Sequence, residues 1–182
     1  MYEENKLIKQ IVEGDEEALR RLYEITSRSV YLYIFSFVNN KELTEDIMIE
    51  TYTQVWLSAK RFNGDSRVLT WIFGIARNLT MNEIKKRDNM HNELTNIEQY
   101  QAEQFRLTSE KETEQLIYLA LKKLSIKHRE ILDLIFIHEM TYEEVSKILN
   151  IPLNTVKTRV FYAKEKLREI LENMGVNKDA FF

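Results

Sequence analysis

The chain has 182 residues, 44% apolar and 30% charged, a balance that suits a folded, water-soluble protein and excludes an intrinsically disordered one. The absence of cysteine excludes disulfides, a cysteine–zinc site and direct thiol redox sensing, and fits a reducing cytoplasm. The net charge of −3 is segregated, with seven Lys/Arg against eleven Asp/Glu in residues 1–60 but six against three in 61–90, which suggests one partner for an acidic face and another for basic faces.

One proline, four glycines and no alternating apolar run predict an almost entirely helical chain. No early apolar run resembles a signal peptide and none is long enough to span a membrane, so no membrane insertion is expected. Leu7, Ile8, Ile11 and Val12 give a short amphipathic helix closed by Gly14. Asp15 is placed to cap a second helix carrying Ala18, Leu19, Leu22 and Tyr23 and continuing through Val38, where Asn39-Asn40 turns the chain. The third helix, from about Lys41 to Lys60, is acidic: Glu42, Glu45, Asp46 and Glu50 precede Tyr52, Gln54, Val55 and Trp56. A solvated face is the default explanation of those carboxylates, and acids in the first turns with Trp56 at the end would also suit a protein-docking helix.

Phe62-Asn63-Gly64-Asp65-Ser66 reads as a loop, with Ser66 as cap for a helix that stacks Val68, Leu69, Ile72, Ile75, Ala76 and Leu79. Trp71, Arg77, Asn78 and Lys85-Lys86-Arg87 fall outside or beside that stripe. Aromatics interleaved with bases suit single-stranded DNA, with Trp71 as core the competing reading. Residues 89–112 lose the pattern and read as a flexible, acidic linker. Helical spacing returns at Leu116, Leu119, Ala120 and Leu124, and Ser125 caps a further helix bearing Ile131, Leu132, Ile135 and Phe136.

The stretch Thr141 to Arg168 then reads as a helix-turn-helix. Thr141 and Glu144 have capping-box spacing, and Tyr142, Val145, Ile148 and Leu149 share one face. Asn150-Ile151-Pro152 stops that helix, and a second runs on from Asn154 with Val156, Val160, Ala163 and Leu167 on its buried stripe. Thr158 and Phe161 point the other way, flanked by Asn154, Lys157 and Tyr162, while Lys157, Arg159, Lys164, Lys166 and Arg168 face only Glu165. Such a helix suits a major groove, its cations on phosphates and Thr158 and Phe161 at base edges or a thymine methyl. The expected fold is all-α: two small helical domains, 1–88 and 113–175, joined by the flexible linker 89–112, the second a helix-turn-helix, with 176–182 as a tail ending in Phe181-Phe182.

Taken together, these stretches resemble bacterial sigma factors of the sigma-70 class, in the small extracytoplasmic-function (ECF) group. LTEDIMIETYTQVW (43–56) resembles region 2.2, which grips RNA polymerase, and RFNGDSRVLTWIFGIARNLTMNEIKKR (61–87) resembles the segment that reads and melts the −10 element. LKKLSIKHREIL (121–132) with TYEEVSKILNIPLNTVKTRVFYAKEKLRE (141–169) resembles region 4, which reads the −35 element. The resemblance implies core RNA polymerase, promoter DNA and an anti-sigma factor as partners. It assigns polymerase contact to Glu45, Asp46, Glu50, Tyr52, Gln54 and Trp56, and the −10 base pocket to Phe62, Asn63, Gly64 and Asp65, to which Trp71, Arg77, Asn78, Lys85, Lys86 and Arg87 add. The −35 set is Asn154, Thr155, Lys157, Thr158, Arg159, Phe161, Tyr162 and Lys164. Ile49 stands where the family usually has Gln, and Gly74 and Tyr162 each replace a frequent Arg.

A response-regulator type of transcription factor would share the helix-turn-helix but bind duplex DNA unaided, and would not need 43–56 or 61–87. An enzyme is disfavoured: His91, His128 and His138 stand isolated in the sequence, and no Gly-rich phosphate loop or nucleophile–base arrangement is present. No cofactor and no metal site are expected.

Overall fold

The computed structural model describes residues 2–93 and 109–175; the middle of the expected linker and the Phe181-Phe182 tail lie outside the described residues. The described residues are all-α: α1 (Tyr2–Val12), α2 (Glu16–Val38), α3 (Lys41–Ser58), a 3-10 turn (Ala59–Arg61), α4 (Val68–Glu93), α5 (Ser109–Lys123), α6 (Ile126–Leu132), a π turn (Asp133–Ile137), α7 (Tyr142–Leu149) and α8 (Leu153–Asn173). One unit gathers α1 to α4 and takes in Glu143–Asn150; the other gathers α5, α6, the π turn and α8. Among the described residues no helix is long and apolar enough to cross a membrane.

The local signals act where the sequence places them. Gly14 adopts φ 91° just beyond α1, a left-handed conformation that costs glycine little. Asp15 accepts from the Ala18 N–H at 3.1 Å, Asn40 from Leu43 at 2.8 Å and Ser125 from His128 at 3.3 Å, each satisfying an orphan donor of a first helical turn. Ser66 is the exception. α4 begins at Val68, and the Arg67 carbonyl takes the first helical N–H, from Trp71 at 3.1 Å, so Ser66 sits one residue before the cap position.

In the first unit, α2 packs on α3 and α4, and α1 packs on α2. Leu22, Tyr33, Ile34, Val55, Ile72 and Phe73 are fully buried there, each burial worth roughly 1.5–3 kcal/mol. The α4 stripe is rotated from the expected one: Phe73, Thr70 and Thr80 join Val68, Ile72 and Ala76 inside, while Leu69, Ile75 and Leu79 are only half-buried. The threonines fit because Thr80, like Thr44 and Thr51, donates its hydroxyl to a helix carbonyl four residues back.

In the second unit, α8 packs against α5 and α6. A π turn at 133–137 interrupts the helix expected through Phe136. The His138 N–H reaches the Asp133 carbonyl at 3.1 Å and the Met140 N–H reaches Leu134 at 3.0 Å. The extra residue per turn slips the register, so Leu134 is buried while Phe136 and Ile137 are exposed. His138 is not isolated in the fold: its Nε2 lies 3.3 Å from Asp133 Oδ2 at the π turn.

Candidate partner and nucleic-acid interfaces

Helix α3 divides the six residues expected to meet polymerase between two faces. Glu45, Tyr52 and Trp56 share one side with Ile49, while Asp46, Glu50 and Gln54 point further from the core, where Gln54 Nε2 donates to Glu50 Oε1 at 2.8 Å. The first side forms a groove of about 730 Å³ with α2, lined by Tyr23, Tyr31, Glu45, Ile49, Tyr52 and Trp56 among others. Ile49 and Leu57 on the same helix are 68% and 67% exposed, and Ile49 adds apolar surface to the groove.

Tyr52 differs from the expectation of a surface contact, since it is buried in the groove floor. Its hydroxyl lies 2.7 Å from Thr26 Oγ1, which donates onward to the Leu22 carbonyl, and its ring meets Tyr23 edge-on at 4.8 Å. The sequence could not show this, because the partner is 26 residues away on another helix. Burial pushes the Tyr52 phenol up to about 12, against the pull of the Thr26 hydrogen bond. An unfolded phenol ionises first as pH rises, so the stability Tyr52 confers is complete below about pH 10 and is lost towards about pH 12. Urea unfolding at about pH 9 and about pH 11 should therefore show a smaller pH dependence in Tyr52→Phe than in the parent. Equal dependence in the two proteins would mean that Tyr52 is not the group responsible.

The loop before α4 is a tight Asx turn. Gly64 takes φ 80°, the Asp65 N–H donates to Asn63 Oδ1 at 3.2 Å, and Asn63 Nδ2 donates to the Asp65 carboxylate. Both ends of the Asn63 amide are thus already engaged, while the side chain stays exposed. Phe62 packs its ring 5.2 Å from that of Trp71, tilted 45°, so Trp71 is a half-buried wall of the loop and neither core nor free surface. Along α4, Trp71, Asn78 and Lys85 recur at seven-residue spacing and share a face. Gly74 lies between Trp71 and Asn78 with open space where a Cβ would stand. Arg77 lies off this face, and Glu83 draws Lys86 and Arg87 to 3.9 and 3.7 Å, which leaves Lys85 as the cation that the stripe presents.

Thr141 directly precedes α7 and Glu144 follows three residues on, the positions a capping box needs. The Glu144 carboxylate reaches beyond its own helix. It is buried, and its Oε1 accepts from Thr70 Oγ1 at 3.0 Å and Arg67 Nη1 at 3.4 Å, while Lys147 donates to the Asp65 carbonyl. Sequence reasoning missed these contacts, as nothing local marks them.

Helix α8 starts at Leu153, one residue earlier than expected, and buries Val156, Val160 and Ala163. Asn154, Thr155, Lys157, Thr158, Phe161, Tyr162 and Lys164 are exposed, as the periodicity requires, and Arg159 is half-buried. Phe161 and Tyr162 are 60% and 57% exposed and meet edge-on at 5.4 Å. Thr158 donates its hydroxyl to the Asn154 carbonyl at 2.9 Å, which leaves lone pairs and a methyl facing outward. Lys166 pairs with Glu169 at 2.8 Å and Arg168 with Glu165, whereas Lys157, Arg159 and Lys164 make no ion pair among the described residues. Lys164 Nζ lies 4.9 Å from the Phe136 ring centroid, a cation–π contact that the π turn makes available.

Two family models match stretches of this chain. Residues 22–90 match the family described as Sigma-70 region 2, and residues 120–169 the one described as Sigma-70, region 4. The chain is 29% identical over 181 residues to ECF RNA polymerase sigma factor SigW of Bacillus subtilis (strain 168), covering 93% of this chain and 97% of the relative. It is 27% identical over 166 residues to ECF RNA polymerase sigma factor SigM of the same strain, covering 87% and 97%. Among solved structures, CnrH in complex with the cytosolic domain of CnrY superposes with TM-score 0.72 at 20% identity, over 94% of this chain and 98% of that one. The sigma factor RpoE in complex with the anti-sigma factor NepR from Bartonella quintana gives 0.68 at 24% identity, over 84% and 96%. At those identities the two structures speak for the fold. The two family matches, in that order and together spanning more than half of the chain, place it in the sigma-70 class of RNA polymerase sigma factors, and the relatives matched over nearly its whole length are of the extracytoplasmic-function group, to which the chain belongs.

Proposed function

We propose that this protein docks on core RNA polymerase through α3, reads the −35 duplex with α8, and captures the melted −10 element with the loop 62–65 and the outer face of α4. It acts in the cytoplasm by binding alone, with no covalent step, and its two working parts are residues 1–88 and 113–175. The observation that carries this reading is that one chain holds both a groove rimmed by Glu45, Ile49 and Trp56 and a helix presenting Thr158, Phe161 and three cations that make no ion pair among the described residues. A transcription factor that binds duplex unaided needs only the second. By analogy with the relatives solved beside anti-sigma factors, an anti-sigma partner covers these surfaces until a signal releases it.

The isolated protein is expected to bind promoter duplex weakly, and core polymerase to bring specific, start-site-defined transcription. Tight, palindrome-specific binding by the protein alone would overturn the reading.

In the loop, Asn63 exchanges its Asp65 partner for the edge of a flipped base, which its donor and acceptor match. Asn63→Ala should change the preferred base at one −10 position and leave −35 preference as it was, in a transcription assay with every base tested at each −10 position. Equal loss on every template would assign Asn63 to the turn alone.

A further inference from the structure

Helix α1 lies outside the residues matched to region 2, which begin at residue 22. None of the polymerase, −10 or −35 contacts proposed for the chain falls on it. Its apolar side is nevertheless spent inside the fold: Leu7, Ile8 and Ile11 are 6%, 3% and 3% exposed, and the helix packs against α2, α4 and the 3-10 turn Ala59–Arg61. The last of these contacts matters for position. A 3-10 turn has poor hydrogen-bond geometry and depends on its neighbours to hold it. This one buries Ala59 and passes directly into the loop, where the Phe62 N–H donates to the Ala59 carbonyl at 3.1 Å and the Phe62 ring packs 5.2 Å from Trp71. The loop is therefore anchored at one end by Val68, which is fully buried, and at the other by a short turn that α1 covers.

We propose that α1 is a positioning element for −10 capture: its buried stripe fixes the 3-10 turn, and through the Ala59–Phe62 hydrogen bond fixes where Phe62 and Asn63 stand against Trp71. The proposal rests on the reading of 62–65 as the −10 loop. Ile8 is the residue to vary, because it is the most buried of the stripe together with Ile11 and touches no DNA or polymerase in that reading. Ile8 does not line the docking groove, and truncating it is expected to loosen the α1 packing that seats the turn. Displacements of about 1 Å at a capture site can cost a hundredfold, so a partial loosening is expected to cost about tenfold.

The test uses the full chain reconstituted with core polymerase on a promoter carrying 2-aminopurine in the −10 element. Opening, affinity for core and thermal midpoint are measured for Ile8→Ala, Ile8→Val and Phe62→Ala. Ile8→Ala is expected to lower opening about tenfold with core affinity held within about twofold, and Ile8→Val to stay within about twofold of the parent in both. Phe62→Ala should lower opening as well. If Phe62→Ala does so and Ile8→Ala does not, the loop reading stands and α1 has no positioning role. If neither lowers opening, the loop reading has failed and the proposal with it. A parallel fall in opening and core affinity, tracking the loss of thermal midpoint, would make α1 a stability element only and overturn the proposal. Should Ile8→Ala fail to fold, Ile11→Ala is read by the same two ratios.

Discussion

Trp56→Ala is expected to weaken assembly with core RNA polymerase about thirty-fold, the roughly 2 kcal/mol typical of a tryptophan anchor. Trp56 is half-buried on the rim of the α2–α3 groove, so its truncation removes contact area for a partner without opening a cavity in the core. Ile49 and the floor residue Tyr52 continue the same apolar surface, which a partner side chain entering the groove would cover. The outer acids act differently. Asp46 and Glu50 stand in solvent, where exposed charges contribute more to encounter than to residence. Charge reversal at both should slow association about tenfold at low ionic strength and progressively less as salt is added. Association kinetics across a salt series, with helical content checked by circular dichroism, separates the two contributions. Unchanged assembly in Trp56→Ala, with strong loss on charge reversal, would move the docking surface from the groove to the outer face. No loss in either would mean that α3 is not the docking helix.

Thr158→Ala and Phe161→Ala are expected to lose discrimination at one −35 base each, by about 1–3 kcal/mol, while Lys157→Ala and Lys164→Ala weaken every −35 sequence alike. The geometry of α8 makes the difference. Thr158 has given its proton to the Asn154 carbonyl, so it offers an acceptor and a methyl, and Phe161 offers only apolar surface. Such groups recognise one base edge and lose value at another. The two lysines offer charge, and removing each should flatten the dependence of log affinity on log salt by about one unit. Lys164 starts from a fixed place above the Phe136 ring, so its ammonium has less freedom to lose on meeting a phosphate. Competition by −35 duplexes permuted at each position, measured with the assembled polymerase, checks both halves. If all four substitutions act uniformly across sequences, α8 is not the base reader.

Much of this protein is written locally. Helix limits follow from Gly14, Asp15, Asn40, Ser125 and Asn150-Ile151-Pro152, because caps and breakers act within a turn of their own position. The outward set on α8 follows from a period of 3.6 residues applied to an uninterrupted helix with one buried stripe, so Thr158, Phe161 and Lys157 were identifiable from spacing alone. Spacing set Trp71, Arg77, Asn78 and Lys85-Lys86-Arg87 outside or beside the apolar stripe of α4, but the pairing of Lys86 and Arg87 with Glu83 came from the structure. What the tertiary structure alone decided are the features whose partners lie far along the chain. Tyr52 forms the groove floor, its hydroxyl 2.7 Å from Thr26 Oγ1 on α2. Phe136 was moved from core to surface by a π turn, and its ring then came to support Lys164, 28 residues later. A π turn inserts one residue into the helical count, and a strictly periodic reading cannot register that insertion until packing fixes which side chain faces inward. The packing of α1 against the 3-10 turn that precedes the 62–65 loop was likewise invisible in sequence, because some fifty residues intervene.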